Sequence, residues 1–211
     1  MCSLKSRALC LAWVLIIAHI AVSQVAVTTY RDDNGRTGQN VNEAVLTPSN
    51  VNVNSFGALF TYILDNGNND SYVYAQPLYL PNVNIPGVGL RNVLYIATEH
   101  DKVYAFDADG VTSTAYWSAD LAARVGGTTI PTSDNTHDSY LGPQLGVTST
   151  PVIDQATGTM YVVANTLEGG ARVQRLHALD VTTGAEKFGG SVVIQGSASG
   201  ASFDPSIQNQ R

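Results

Sequence analysis

The sequence predicts an all-β fold built from repeated four-stranded antiparallel units, and three observations carry that prediction. A strand-turn-strand segment occurs twice, as Asn92 to Gly110 (NVLYIATEHDKVYAFDADG) and as Thr159 to Gly184 (TMYVVANTLEGGARVQRLHALDVTTG). Each copy follows a proline-led strand, Gln76-Pro77-Leu78-Tyr79 or Thr150-Pro151-Val152-Ile153. No long amphipathic helical pattern is found after residue 23.

The first 23 residues stand apart from this pattern. Lys5 and Arg7 make a basic start, Leu9 to Val22 is an apolar run, and Ala21-Val22-Ser23 places small residues where a signal peptidase reads. The run is short for a bilayer span. A signal peptide over 1–23 with cleavage after Ser23 is therefore expected, and an uncleaved anchor is the alternative. Cys10 lies at the start of the run, which argues against a lipoprotein signal.

Both cysteines, Cys2 and Cys10, fall in that segment, so residues 24–211 hold no disulfide and no thiolate metal site. Of the 11 Lys plus Arg, two lie there, leaving 9 against 17 Asp plus Glu, a net charge of 9 − 17 = −8. An acidic chain without basic clusters speaks against nucleic acid and against anionic membranes as partners. Secreted or periplasmic localisation is expected, with a single domain over residues 24–211.

Along that domain, Gln24 to Tyr30 reads as an extended lead-in and Arg31 to Asn42 as polar turns. Leu46 to Asn50 reads as one short helical turn. Phe56 to Leu64 (FGALFTYIL) fits a strand or a buried helix; Gly57 and the β-favouring Phe60, Thr61, Tyr62 and Ile63 decide for strand. Asp65 to Asp70 (DNGNND) is a turn whose oxygens suit calcium, but it lacks the spacing and closing glutamate of a calcium loop. Asn69-Asp70-Ser71 is a glycosylation triplet of the kind that also arises by chance.

Tyr72 to Leu80 reads as a strand and Pro81 to Arg91 as a loop. Val93 to Thr98 and Lys102 to Asp107 form a hairpin around Glu99-His100-Asp101, and Thr114 to Trp117 makes a fourth strand. Ser118 to Gly146 is irregular. Val147 to Asp154, Thr159 to Asn165, Arg172 to Asp180 and Lys187 to Ile194 repeat the series, and the tail from Gln195 to Arg211 shows no clear strand. Asp154 to Gly158 and Asp180 to Gly184 share the form Asp-x-x-Thr-Gly. There the carboxylate can accept from backbone N–H groups and the glycine can supply positive φ, so these aspartates read as structural.

Four strands per unit, recurring after 73 residues (Asp107 to Asp180), fit the blades of a β-propeller. Blades stacked around an axis bury both faces, which accounts for strands apolar on both sides. About two full blades plus a partial N-terminal one make an incomplete ring. Its open edges and apolar faces are expected to self-associate. A truncated gene product or a piece of a longer polypeptide is expected.

These residues resemble the pyrroloquinoline-quinone (PQQ)-like β-propeller repeat family, the quinoprotein alcohol dehydrogenase-like proteins. The resemblance rests on Thr150-Pro151-Val152-Ile153, Met160-Tyr161-Val162-Val163, Leu176-His177-Ala178-Leu179-Asp180 with Thr183-Gly184, Tyr95-Ile96-Ala97, Val103-Tyr104-Ala105-Phe106-Asp107 and Trp117. Phe188 stands where the second unit's tryptophan would be. Arg36-Thr37-Gly38-Gln39-Asn40 and Leu46-Thr47-Pro48 resemble the opening of its secreted bacterial members. For the dehydrogenases of this family the resemblance implies an axial quinone, a calcium held by Glu and Asn, an Asp base and often an adjacent Cys pair. Residues 24–211 lack the Cys pair, and Glu43, Glu99 and Glu186 offer no motif for the metal, Glu99 standing in a hairpin turn and Glu186 after a Thr-Gly turn.

No catalytic, cofactor-binding or metal-binding residue is therefore assigned. His100-Asp101 and His137-Asp138 have the composition of a ligand or acid-base pair and equally that of polar turns. His177 is expected to pack at a blade face, and Tyr72, Tyr74 and Tyr79 read as core and rim aromatics before a sugar platform. No phosphate loop, nucleophile elbow or His-Glu-x-x-His site occurs. The expected function is an exported, non-catalytic binding or assembly scaffold, taking a protein or small molecule on the propeller face. Part of a PQQ- and calcium-dependent dehydrogenase of alcohols or sugars is the alternative, with hydrolase or lyase propellers behind it.

Overall fold

The computed structural model describes residues 25–67, 72–131, 133 and 141–210. Residues 1–23, where a signal peptide is expected, the triplet Asn69 to Ser71 and His137-Asp138 lie outside the described residues. The described chain is all-β and antiparallel, with strands over 37% of it and helix over 4%.

The first sheet has four strands in sequence order: β1 (Leu78–Ile85), β2 (Gly89–Ala97), β3 (Lys102–Asp107) and β4 (Trp117–Asp120). Pro81 to Arg91 is not an open loop. β1 continues past Pro81 through a bulge at Leu80/Val83, with Asn82 at φ 57°, and turns tightly into β2. Leu78, Tyr95, Ala105 and Trp117 stand side by side across the sheet, as do Ala97, Val103 and Ala119. Period-2 alternation places all of these on one face.

The second sheet holds the expected series β7 (Val152–Asp154), β8 (Thr159–Glu168), β9 (Ala171–Asp180) and β10 (Val192–Val193). It also gains two strands from the stretch read as irregular. β5 (Thr128–Pro131) pairs β8 beyond the end of β7, and β6 (Gln144–Leu145) pairs β5. Because β7 is only three residues long, it leaves the far half of β8 unpaired on that edge, and β5 fills it. A four-residue helix, α1 (Leu121–Arg124), connects the sheets, capped by Asp120 accepting from the Ala123 amide at 2.8 Å. A last short hairpin, β11 (Ser197–Ala198) with β12 (Ala201–Ser202), lies in the tail, where no strand was expected.

The core is the seam between the two sheets. The first sheet's inner face meets Ile153, Met160, Val162, Ala164, Leu179 and Val181 of the second. Tyr95 crosses this seam, 2% exposed, and its hydroxyl donates to the Val181 carbonyl at 3.0 Å. Trp117 Nε1 donates to the same oxygen at 3.1 Å. Tyr95→Phe keeps the ring and strands that bond, so we expect a loss of about 1 kcal/mol, read from the urea midpoint at unchanged slope.

Phe56 to Leu64 is not a strand. It runs irregularly into a 3-10 turn, Asp65–Gly67. Its aromatic residues are spent on the first sheet's other face instead of on a ladder: Tyr62 stacks on Phe106 at 4.5 Å and 20°, and Phe60 packs against Tyr62 at 5.4 Å. The helical turn expected at Leu46 to Asn50 is present as bonds from Asn50 and Val51 N–H to the Thr47 carbonyl.

Candidate functional site

The Asp-x-x-Thr-Gly turns behave as the sequence reading requires. Asp180 Oδ1 accepts from the amides of Thr182 and Thr183 at 2.8 and 3.2 Å, and Gly184 closes the turn at φ 69°. Asp154 accepts from Ala156 N and Thr157 Oγ1, with Gly158 at φ 60°. The Thr157 hydroxyl and the Ala156 amide hold the Asp154 carboxyl below its usual range. These carboxylates are occupied in shaping turns.

Glu99, His100 and Asp101 diverge from one short turn. His100 Nδ1 meets Asp65 Oδ2 at 2.8 Å; Tyr104 donates to Asp65 Oδ1 at 2.7 Å, and Lys102 stands 3.5 Å from the same atom. Asp65, His100 and Lys102 border a cavity of about 290 Å³ with Asp120, Thr128 and Thr129. His100 is thus an ordering contact for the 3-10 turn, and His100-Asp101 is not a joint ligand pair. Asp65, read as a candidate calcium oxygen, is buried and engaged with these three side chains.

Asp101 instead enters the second sheet. Its Oδ1 accepts from the Asn165 amide at 3.3 Å, on the edge of β8 between the ends of β7 and β5. Glu99 Oε2 accepts from Gly146 N at 2.8 Å and Thr148 Oγ1 at 3.1 Å. Glu99 and Asp101 are fully buried, and Asn165 is 2% exposed. Burial raises both carboxyls above the usual range, and the neighbouring Glu99 charge pushes Asp101 further in the same direction. Among the described residues, Glu99 Oε1, Asp101 Oδ2 and Asn165 Oδ1 have no hydrogen-bond partner.

Glu, Asn and Asp are the residue types that the PQQ resemblance assigns to the dehydrogenases' calcium and base. Here they are sealed inside the inter-sheet seam, with no exposed surface on which a planar quinone could lie. Among the described residues no group of three or more His, Cys, Asp or Glu could hold a metal. Glu99, Asp101 and Asn165, buried as they are, do not fit the quinone–calcium pair. His177 is fully buried as expected, with Nδ1 3.3 Å from Glu186, which Arg124 also reaches at 3.2 Å. Burial lowers its pKa, with the Glu186 charge opposing. Glu186 is therefore structural, and so is Glu168, held by Arg175 through two bonds of 2.7 Å.

What is left uncommitted is a surface. Val152, Tyr161 and Ala178 stand abreast on the second sheet's outer face, as do Val163, Leu176 and Val192. Except for Ala178 this apolar row is half-buried or exposed, with Leu176 at 39% and Val192 at 65%. No known protein family, curated protein or solved structure matches the chain. The reading of this surface rests on geometry alone.

The outer face is the second copy of the face that seals the core. Register equates Val152-Tyr161-Ala178 with Leu78-Tyr95-Ala105. Ahead of β10 one bond recurs: Lys187 N donates to Ala178 O at 2.7 Å as Tyr116 N does to Ala105 O at 2.8 Å, but β10 itself pairs Val192 with Leu176, two residues out of step with Ala119 and Val103. Phe188, next after Lys187, lies in a turn at φ 57° and 73% exposure, whereas Trp117 opens β4.

Proposed function

We propose that the two sheets are propeller-type blades of an exported PQQ-like repeat protein, and that the chain acts as a non-catalytic binding or assembly scaffold. One observation carries this reading: the second sheet presents outward the same apolar set that the first sheet uses inward to bind its neighbour. Contiguous apolar surface framed by polar residues is the mark of an interaction site. The signal-like segment 1–23 supports export, with the scaffold beginning at Gln24. Strand edges at β10 and at β6 and β7 offer a further route to self-association.

The test uses the chain from Gln24 onward. Binding of an apolar-surface dye and concentration-dependent sedimentation are expected, and L176K/V192K should reduce both while leaving the far-ultraviolet circular dichroism unchanged. Addition of calcium and PQQ should give no dye reduction with alcohols or aldoses. Quinone-dependent turnover abolished by chelation would overturn the scaffold in favour of a dehydrogenase. Recovery of an exported protein whose N-terminus is not Gln24 would overturn the cleavage assignment.

A further inference from the structure

A cavity of about 680 Å³ opens where the N-terminal lead-in meets the approach to the second sheet, within the range of about 300–1,000 Å³ typical of small-molecule sites. Tyr30, Arg31, Arg36, Tyr74, Ser149 and Thr150 line it. Two guanidinium groups gather there on one ring: Arg31 Cζ stands 5.4 Å and Arg36 Cζ 5.9 Å from the centre of Tyr30. Among the described residues neither arginine forms an ion pair. The adjacent carboxylates are turned to other partners. Asp32 Oδ1 accepts from Gln76 Nε2 at 3.4 Å, and Asp33 accepts from the Thr37 amide and hydroxyl at 3.3 and 3.0 Å. In an acidic chain, two like charges are thus held on one cavity with no anion between them, an arrangement that a bound anion relieves.

The loop that presents the arginines is fixed and strained. Arg31, Asp32 and Arg36 hold φ of 58°, 71° and 56°, left-handed values that residues other than glycine adopt at a cost. The Arg31 amide donates to Gln76 Oε1 at 2.9 Å, and the Gln76 amide donates to Thr150 Oγ1 at 2.9 Å, which ties the loop to the second sheet. Backbone strain of this kind persists where it positions a functional group. We infer that the cavity binds an acidic sugar, a uronic-acid disaccharide held by its carboxylates on Arg31 and Arg36. Each guanidinium is a planar fork that matches a carboxylate. The Thr150 hydroxyl, accepting from Gln76, keeps a hydrogen to donate, and Ser149 Oγ, donating to Gln210 at 2.7 Å, keeps lone pairs to accept. A donor beside an acceptor suits a ring hydroxyl, which is both. Tyr74, stacked on Tyr72 at 6.1 Å and 15° and held by the Gly142 amide on its hydroxyl at 3.0 Å, gives the C–H face of a sugar ring an apolar wall. This site goes beyond the scaffold reading and does not rest on it, since Leu176 and Val192 lie outside the cavity.

Digalacturonate and its neutral counterpart galactobiose are the probes, titrated by calorimetry into the chain from Gln24 onward. Digalacturonate should bind with a Kd below about 1 mM and galactobiose at least about tenfold more weakly. The affinity for digalacturonate should fall as salt rises from about 0.05 to 0.5 M, and equimolar inorganic phosphate should not displace it. R31Q and R36Q should each weaken binding by about tenfold. R36Q also removes the bond from Arg36 to the Tyr30 carbonyl at 3.2 Å, so R31Q alone carries the test if R36Q does not fold. Equal binding of galactobiose, displacement by equimolar phosphate, or indifference to R31Q and R36Q overturns the site. So does the absence of digalacturonate binding up to about 10 mM. L176K/V192K should leave the affinity unchanged. If that pair abolishes sugar binding, the ligand is held by the associated outer face and the cavity is not the site. If the chain does not self-associate but binds digalacturonate through Arg31 and Arg36, the scaffold reading falls and the sugar site stands.

Discussion

Gly184→Ala is expected to destabilise the fold by about 2–4 kcal/mol, adding the left-handed penalty of a non-glycine residue to the cost of overpacking. Gly184 sits at φ 69°, and an added methyl group would overlap the Trp117 ring. Neither partner has room to yield. Trp117 is fixed by its indole bond to the Val181 carbonyl and by contact with Tyr95 at 5.9 Å, while the Gly184 carbonyl accepts from Arg124 at 2.7 Å. The change therefore strikes the turn and the seam together. Gly158→Ala is the matched control: it stands at a similar φ of 60°, but its nearest neighbour, Val181 Cγ2, is at an ordinary 3.7 Å. It should cost only the backbone part, about 1–2 kcal/mol. Urea unfolding of the three proteins checks the difference, and equal losses would show that the ring contact contributes nothing.

The same positions show what a sequence exposes and what it withholds. The Asp-x-x-Thr-Gly turns, the hairpins and the repeat were legible because they are local: a carboxylate reaching amides two or three residues away leaves its mark in five consecutive residues. Phe56 to Leu64 was misread as a strand because its β-favouring side chains are selected by the sheet they cover, and composition does not distinguish a strand from an aromatic clasp. β5 and β6 were missed because their pairing depends on how short β7 is, a fact about a different segment. Glu99-His100-Asp101 looked like a surface turn. Its burial follows from Gly146, where a β-carbon would meet Asp101 N at 2.7 Å, and from the free edge of β8 at Asn165. Both lie more than forty residues away in sequence. The outer face was legible only in part: the repeat equates Tyr161 with Tyr95, but which of them is covered is decided by the packing.

Asp101→Asn is expected to flatten the fall of stability that Asp101 causes as pH rises above about 4. Burial raises the Asp101 pKa most; the Asn165 amide opposes it next, and the Glu99 and Asp120 charges add smaller upward pushes. The native state therefore holds a proton that the unfolded chain, with an ordinary aspartate near pH 4, has released. Stability is full below that point and falls by about 1.4 kcal/mol per pH unit as pH rises toward the native value. Glu99, also raised by burial, adds a slope of the same sign. The other titrating groups act elsewhere or oppositely. Asp107, Asp154 and Asp180 are lowered, so their stabilisation is lost only as pH falls below about 4. His177 is lowered, so its contribution declines as pH drops below about 6.5. Asparagine keeps the oxygen that accepts from Asn165 N and removes the titration. Thermal or urea unfolding of both proteins from pH 5 to 9 should give curves that diverge with rising pH, the variant becoming the more stable. Parallel curves would mean that Asp101 is ionised in the native seam and that the oxygen now without a partner has found a cation or a donor.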